Sequence, residues 1–168
     1  MKPIWEYAVT WSYLDHVQAG SQDPGMDFGL YFNQYTPVEA GTVIFVGVDP
    51  NSKNPINGSL AQYIIIRGNS GDHFYVHNSE QYVKVGQYVT TDTIIAKSGD
   101  SGYTFGAHLH YALKQNGRYV DPTSFINSLK GLNINNQNMS EFVTVQEEWG
   151  LSHVALAAGY PDYGTVAA

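Results

Sequence analysis

A mainly β domain is what this sequence predicts, on three observations. Short apolar runs rich in Val, Ile, Tyr and Thr recur along the chain, each bounded by Gly, Pro, Asn or Asp. Charged residues make up only 14%, while 17 Gly and 13 Tyr supply turns and half-buried strand positions. Asn116-Gly117, between two β-prone runs, is a strong hairpin signal. The 43% hydrophobic content supplies a core, and 168 residues suit one compact domain with at most a small appendage.

Each element follows from its own residues. Trp5 to Trp11 reads as an N-terminal strand, and Ser12 to Asp23 as a polar loop. Gln22 to Gly29, with Pro24-Gly25 at its centre, makes a tight turn feeding a strand. Thr36 to Asp49 is β-rich, and Pro50 to Ser59, without apolar periodicity, reads as a loop. Ala61 to Gly68 is a nearly continuous apolar run and so a buried strand. His73 to His77 alternates as another strand, and Tyr82 to Gly99 continues as strand, turn and strand with Gly86 at the bend. The hairpin around Asn116-Gly117 follows. Pro122 to Gly131 is the first convincing helix, with proline at its start and glycine at its end. An Asn-rich stretch, 132–141, divides a domain over 1–131 from a small α/β segment over 142–168.

Composition also excludes functions. A formal net charge of −7 with only 8 Lys+Arg argues against nucleic-acid binding. No apolar run reaches the ~20 residues of a membrane-spanning helix, and the first residues do not read as a signal peptide. Without cysteine there is neither a disulfide nor a thiolate metal site, so a metal would need His, Asp, Glu and water.

The chemistry is concentrated in Gly106-Ala-His-Leu-His-Tyr-Ala-Leu113. Residues i and i+2 of a strand share a face, so His108 and His110 leave the sheet on the same side. One imidazole can then bind a metal while the other handles a proton.

The surrounding text closely resembles the lysostaphin-type zinc metallopeptidases, which cleave peptide cross-links of bacterial cell walls. Gly99, Gly102, Thr104, Gly106, His108-Leu109-His110, Asn116-Gly117 and Asp121-Pro122 follow that family's final motif. Tyr75, His77 and Val83 to Gln87 match its Y-x-H segment and the strand and turn after it. Gly25-Met26-Asp27-Phe28 and the stretch to Gly47 match its G-x-D-F region. The resemblance runs from about Thr10 to Ile126. It implies an antiparallel β-sheet groove with one zinc ion on its floor and peptidoglycan as substrate. It makes Asp27 and His110 metal ligands, and gives His77 and His108 the non-ligand catalytic roles. Tyr103, in the loop before the His-x-His strand, is a candidate substrate contact.

One position departs from the pattern. The family's first ligand is a His four residues before the Asp, and here that position holds Asp23. Asp23 could ligate zinc through oxygen, making a harder, more anionic site. Alternatively it caps the Pro-Gly turn and the domain is a catalytically inactive scaffold. His16, in the preceding loop, is a further candidate for the missing ligand. His73 and His153 read as solvated, away from the chemistry.

Phe142 to Gly159 resembles the first half of a lysin-motif (LysM) module, a glycan-binding fold also used as a joint in phage tails. The two resemblances together imply a bacteriophage tail protein, located in the virion or released at lysis. Its partners would be peptidoglycan and other tail proteins. A non-cleaving peptidoglycan-binding module is a third reading.

Overall fold

A computed structural model describes residues 1–132. The Asn-rich stretch beyond Leu132, the lysin-motif-like segment and His153 lie outside the described residues. The compact unit that carries the site spans Met1–Ser124. The chain is helical over residues 123–132, where Pro122 announces a helix.

The mainly β expectation holds. After a 3-10 turn at Ile4–Glu6 come β1 (Val9–Trp11), α1 (Tyr13–Gln18), β2 (Met26–Phe28), β3 (Gln34–Tyr35) and β4 (Gly41–Lys53). Then follow β5 (Leu60–Arg67), β6 (Asp72–Val76), β7 (Asn78–Gln81), β8 (Tyr88–Val89), β9 (Ala96–Ser98), β10 (Leu109–Gln115) and β11 (Arg118–Val120). The larger sheet runs β1-β2-β10-β6-β5-β4-β8, with β11 on β10, and a smaller one runs β3-β9-β7. Every strand pairing is antiparallel.

The two-residue period of the strands separates core from groove. On β10, Leu109, Tyr111 and Leu113 are buried, as are His73 and Tyr75 on the adjoining β6 and Ile64 and Ile66 on β5. Burying each of these aliphatic side chains contributes roughly 1.5–3 kcal/mol. The intervening Tyr63, Phe74, Val76 and His110 line an open groove of about 940 Å³. The hairpin turn has φ of 49° at Asn116 and 76° at Gly117, the left-handed pair that a two-residue turn between twisted strands requires.

Three local expectations are corrected. Ser12 to Asp23 is not all loop, because α1 occupies its middle. Ser12 caps that helix, accepting from the Asp15 N–H at 3.2 Å, while Asp15 Oδ2 accepts from the Ser12 N–H at 2.8 Å. Ser-x-x-Asp is a visible form of this reciprocal cap, so the signal was present in the sequence. The loop expected from Pro50 begins later, since β4 continues to Lys53 and pairs with Leu60. His73 is not solvated but fully buried. It lies two residues from Tyr75 on the same strand and therefore shares its core face.

Candidate metal centre

Strand register brings the predicted residues together. Asp27 on β2 stands opposite His110 on β10, and His110 stands opposite Val76, the last residue of β6. His77 follows immediately with φ of 70°, a conformation costing a non-glycine residue about 1–3 kcal/mol. Its ring reaches within 4.7 Å of that of His108 and 6.0 Å of that of His110, centroid to centroid. His108 sits just before β10, joined to Gly99 by an isolated bridge. The His-x-His expectation is met, because His108 and His110 both face Asp27.

The third member of the cluster is His16. Its ring is buried, 4.5 Å from Trp11 and 4.8 Å from His110 by centroid, and its Nε2 lies 3.4 Å from Asp27 Oδ1. His16, Asp27 and His110 form the one group among the described residues whose ligand atoms all lie within 4.8 Å of one another. The Asp23 carboxylate is not in it and accepts instead from the Ser21 hydroxyl at 3.1 Å. Asp23 contributes its backbone: its carbonyl oxygen accepts from His110 Nε2 at 3.0 Å. That approach depends on Gly25, where a Cβ would collide with the Tyr111 carbonyl and lie 3.0 Å from His110 Cε1.

Backbone carbonyls fix each imidazole. Since a carbonyl can only accept, the ring nitrogen facing it carries the proton. His16 Nδ1 donates to Ser12 O at 2.9 Å, His77 Nδ1 to Ser101 O at 2.6 Å, and His108 Nδ1 to Gly106 O at 2.9 Å. In His110 the roles reverse: Nε2 is spent on Asp23, leaving Nδ1 towards Asp27 Oδ1 at 2.8 Å. His108 Nε2 lies 3.4 Å from Asp27 Oδ2. A ring carrying only that one proton therefore aims a lone pair at the Asp27 carboxylate. A cation among these donors resolves the conflict, and outer carbonyls holding the ligand rings are the usual support of such a site.

The donor set fits zinc. Two imidazole nitrogens and one carboxylate oxygen are typical of a catalytic zinc, and bonds of about 2.0–2.2 Å place donor atoms roughly 3.3 Å apart. The observed 2.8 and 3.4 Å separations straddle that value.

Titration follows the same geometry. Burial works to raise the Asp27 carboxyl, but hydrogen bonds from His110 and His16, made only when those rings carry a second proton on the nitrogen facing it, and the nearby imidazoles hold it well below the usual carboxylate range. Burial pushes the His77 imidazole down to about 3, aided by His108 and His110. Burial would likewise lower His16, but its bond to Asp27 leaves it raised. Asp27 is thus a permanent anion and His77 a neutral imidazole at neutral pH.

Above this centre the groove is lined by Trp11, Ala19 to Gln22 and the Tyr103 and Phe105 pair, whose rings lie 5.6 Å apart. Tyr103 lines this groove and is 65% exposed. No helix among the described residues is long and apolar enough to cross a membrane.

Residues 21–122, well over half the chain, match Peptidase family M23. The chain belongs to that family. It is 38% identical over 102 residues to an uncharacterized metalloprotease of Haemophilus influenzae, covering 58% of this chain and 20% of that protein. It is 34% identical over 115 residues to lysostaphin of Staphylococcus simulans, covering 62% and 22%, respectively. It is 30% identical over 128 residues to the peptidoglycan DD-endopeptidase ShyA of Vibrio cholerae, covering 74% and 27%. The matched region thus spans about a quarter or less of each of these relatives. The structure of lysostaphin superimposes with a TM-score of 0.59 at 26% identity, covering 74% of this chain and 51% of that one. The lysostaphin-type fold implied by the sequence is confirmed.

Proposed function

We propose that this M23 domain is a zinc-dependent endopeptidase that cuts peptide bonds of peptidoglycan. The observation that carries the reading is the convergence of His16, Asp27 and His110 on one point at the floor of an open groove. Similarity to lysostaphin and to a peptidoglycan DD-endopeptidase supports the choice of substrate. The inactive-scaffold reading supposed that Asp23 fails as a ligand and nothing replaces it; His16, standing beside Asp27 and His110, supports the active reading over it.

The ion that His16 Nε2, Asp27 and His110 Nδ1 would hold supplies Lewis acidity, polarising the scissile carbonyl and making a water acidic near neutral pH. The chain's own residues handle the proton. His77 Nε2 and His108 Nε2 keep lone pairs, because both Nδ1 atoms donate to backbone carbonyls. Whichever accepts the proton of the attacking water becomes an N–H donor. It can then stabilise the developing oxyanion and pass that proton to the leaving amine. Thr104 Oγ1, 3.3 Å from His108 Nδ1 and donating to Gly106 O, keeps the His108 ring in register. Tyr103 and Phe105 offer flat apolar surface to a peptide lying in the groove.

The test is zinc content of the purified chain together with release of new amino groups from purified cell walls. Near-stoichiometric zinc with release supports the reading; pull-down on walls without release makes the chain a binding module. Attachment to a phage tail is a further proposal, resting on the lysin-motif-like text of Phe142 to Gly159. Detecting the chain in purified virions tests it.

A further inference from the structure

His16 and Asp27 lie eleven residues apart on separate elements, whereas the family's motif places its first two ligands four residues apart. The helix that carries His16 is weakly held. It has six residues, far below the ~12–15 at which isolated helices become even marginal in water. His16 is its buried side chain, while Leu14 and Val17 are 60% and 46% exposed, so no apolar stripe anchors it. The preceding β1 is an edge strand of three exposed residues, and its register on β2 is irregular. Yet Trp11 and Ala19 to Gln22, at either end of this segment, form a wall of the groove.

We propose that α1 is a ligand-bearing flap: metal binding through His16 docks the segment around it and so completes the groove wall. The inference rests on the zinc reading above. The ion is then a fastener for the substrate groove as well as a reagent. Loading the metal and forming that wall are one coupled equilibrium, each favouring the other by the same factor. Position 23, relieved of ligation, keeps its carboxylate on the groove lining.

Amide hydrogen exchange of the full chain, with zinc added or removed by a chelator, reads this directly. At free zinc 100 times the Kd, exchange in 9–20 should slow by up to roughly 100-fold. His16→Ala should weaken zinc binding about 100-fold or more, beyond the loss typical of an outer-shell contact. A double variant, His16→Ala with Asp23→His, should bind zinc while leaving 9–20 unprotected. Wild-type chain that binds zinc with no change in 9–20 would overturn the flap and leave the zinc reading standing. So would zinc binding by His16→Ala at wild-type affinity. A wild-type chain that takes up no zinc defeats both. The wild-type comparison needs no variant to fold.

Discussion

Two carboxylates in this domain face buried imidazoles, with opposite consequences. Glu39 accepts from His73 Nε2 at 2.8 Å, from the Ser70 N–H at 3.0 Å and from the Ser70 hydroxyl at 3.0 Å. His73 Nδ1 in turn accepts from the Tyr111 hydroxyl at 2.8 Å. Burial lowers His73 despite Glu39, so the contact is a hydrogen bond from a neutral ring rather than an ion pair. Donors and acceptors there complement one another. Around Asp27 they do not: His16, His108 and His110 have each spent a proton on a carbonyl and turn their remaining nitrogens inward. The first cluster is complete as protein, and the second asks for a cation. Proximity of His to Asp or Glu does not distinguish them; the placement of protons does.

The largest effect should come from removing the anion. Asp27→Asn keeps the shape but removes the charge and one strong ligand. Zinc content should fall to background and wall-lytic activity should vanish, while the chelator-treated variant should melt below chelator-treated wild type, having lost the bonds that hold Asp27 ionised. Elemental analysis and thermal unfolding check this. If the Asp27→Asn variant holds zinc at full affinity, the proton accounting that separates the two clusters fails.

Next in size is His77→Ala. Its ring binds no metal in this reading, so zinc content should stay near wild type while kcat falls about 10²–10⁴-fold, the range for a lost general base. Loss of zinc in this variant would move His77 into the ligand set.

The sequence made much of this legible, and unevenly. The two-residue period placed His108 and His110 on one side of the sheet, and the motif order carried Asp27 and His77 to the same point. Asp23 and His16 were harder. Position 23 matches the motif by spacing, but the chain there lies close along β10 over Gly25, offering His110 a carbonyl and turning the carboxylate to Ser21. His16 is supplied by a helix six residues long, too short for hydrophobic periodicity to mark. Only the Ser12-x-x-Asp15 cap announces it. His73 was misplaced for another reason: its environment is set by Glu39 and Tyr111, far away in sequence and brought near by the sheet.

The closed cluster should respond through stability alone. Glu39→Gln removes the charge that His73 and Ser70 satisfy and should cost about 2 kcal/mol in urea unfolding, with zinc affinity unchanged. Acid should reach both clusters. His73 and His77 have folded pKa values below their unfolded value of 6.5, so the unfolded chain takes up protons that the folded chain resists. Their contribution is therefore full above pH 6.5 and is lost as pH falls, for His77 down to about 3. His16, raised, works in the opposite sense, its contribution fading as pH rises above 6.5. Two groups oppose one, so the urea midpoint of the chelator-treated chain should be lower at pH 5 than at pH 7. His77→Gln should flatten that dependence, and an unchanged slope would mean that His77 is not held neutral.

The smallest effect tests how far the open cluster depends on a marginal helix. Ser12 closes the α1 cap through its hydroxyl, and its carbonyl orients His16 Nδ1. Ser12→Ala removes only the hydroxyl, at a cost of about 1 kcal/mol to the helix. If α1 docks as the metal binds, part of that cost falls on binding, and zinc affinity should weaken up to about fivefold. The catalytic imidazoles remain in place, so kcat at saturating zinc should hold. If α1 is rigidly folded with or without metal, the same substitution lowers overall stability but leaves zinc affinity where it was. A chelator-competition titration of the two proteins separates these outcomes.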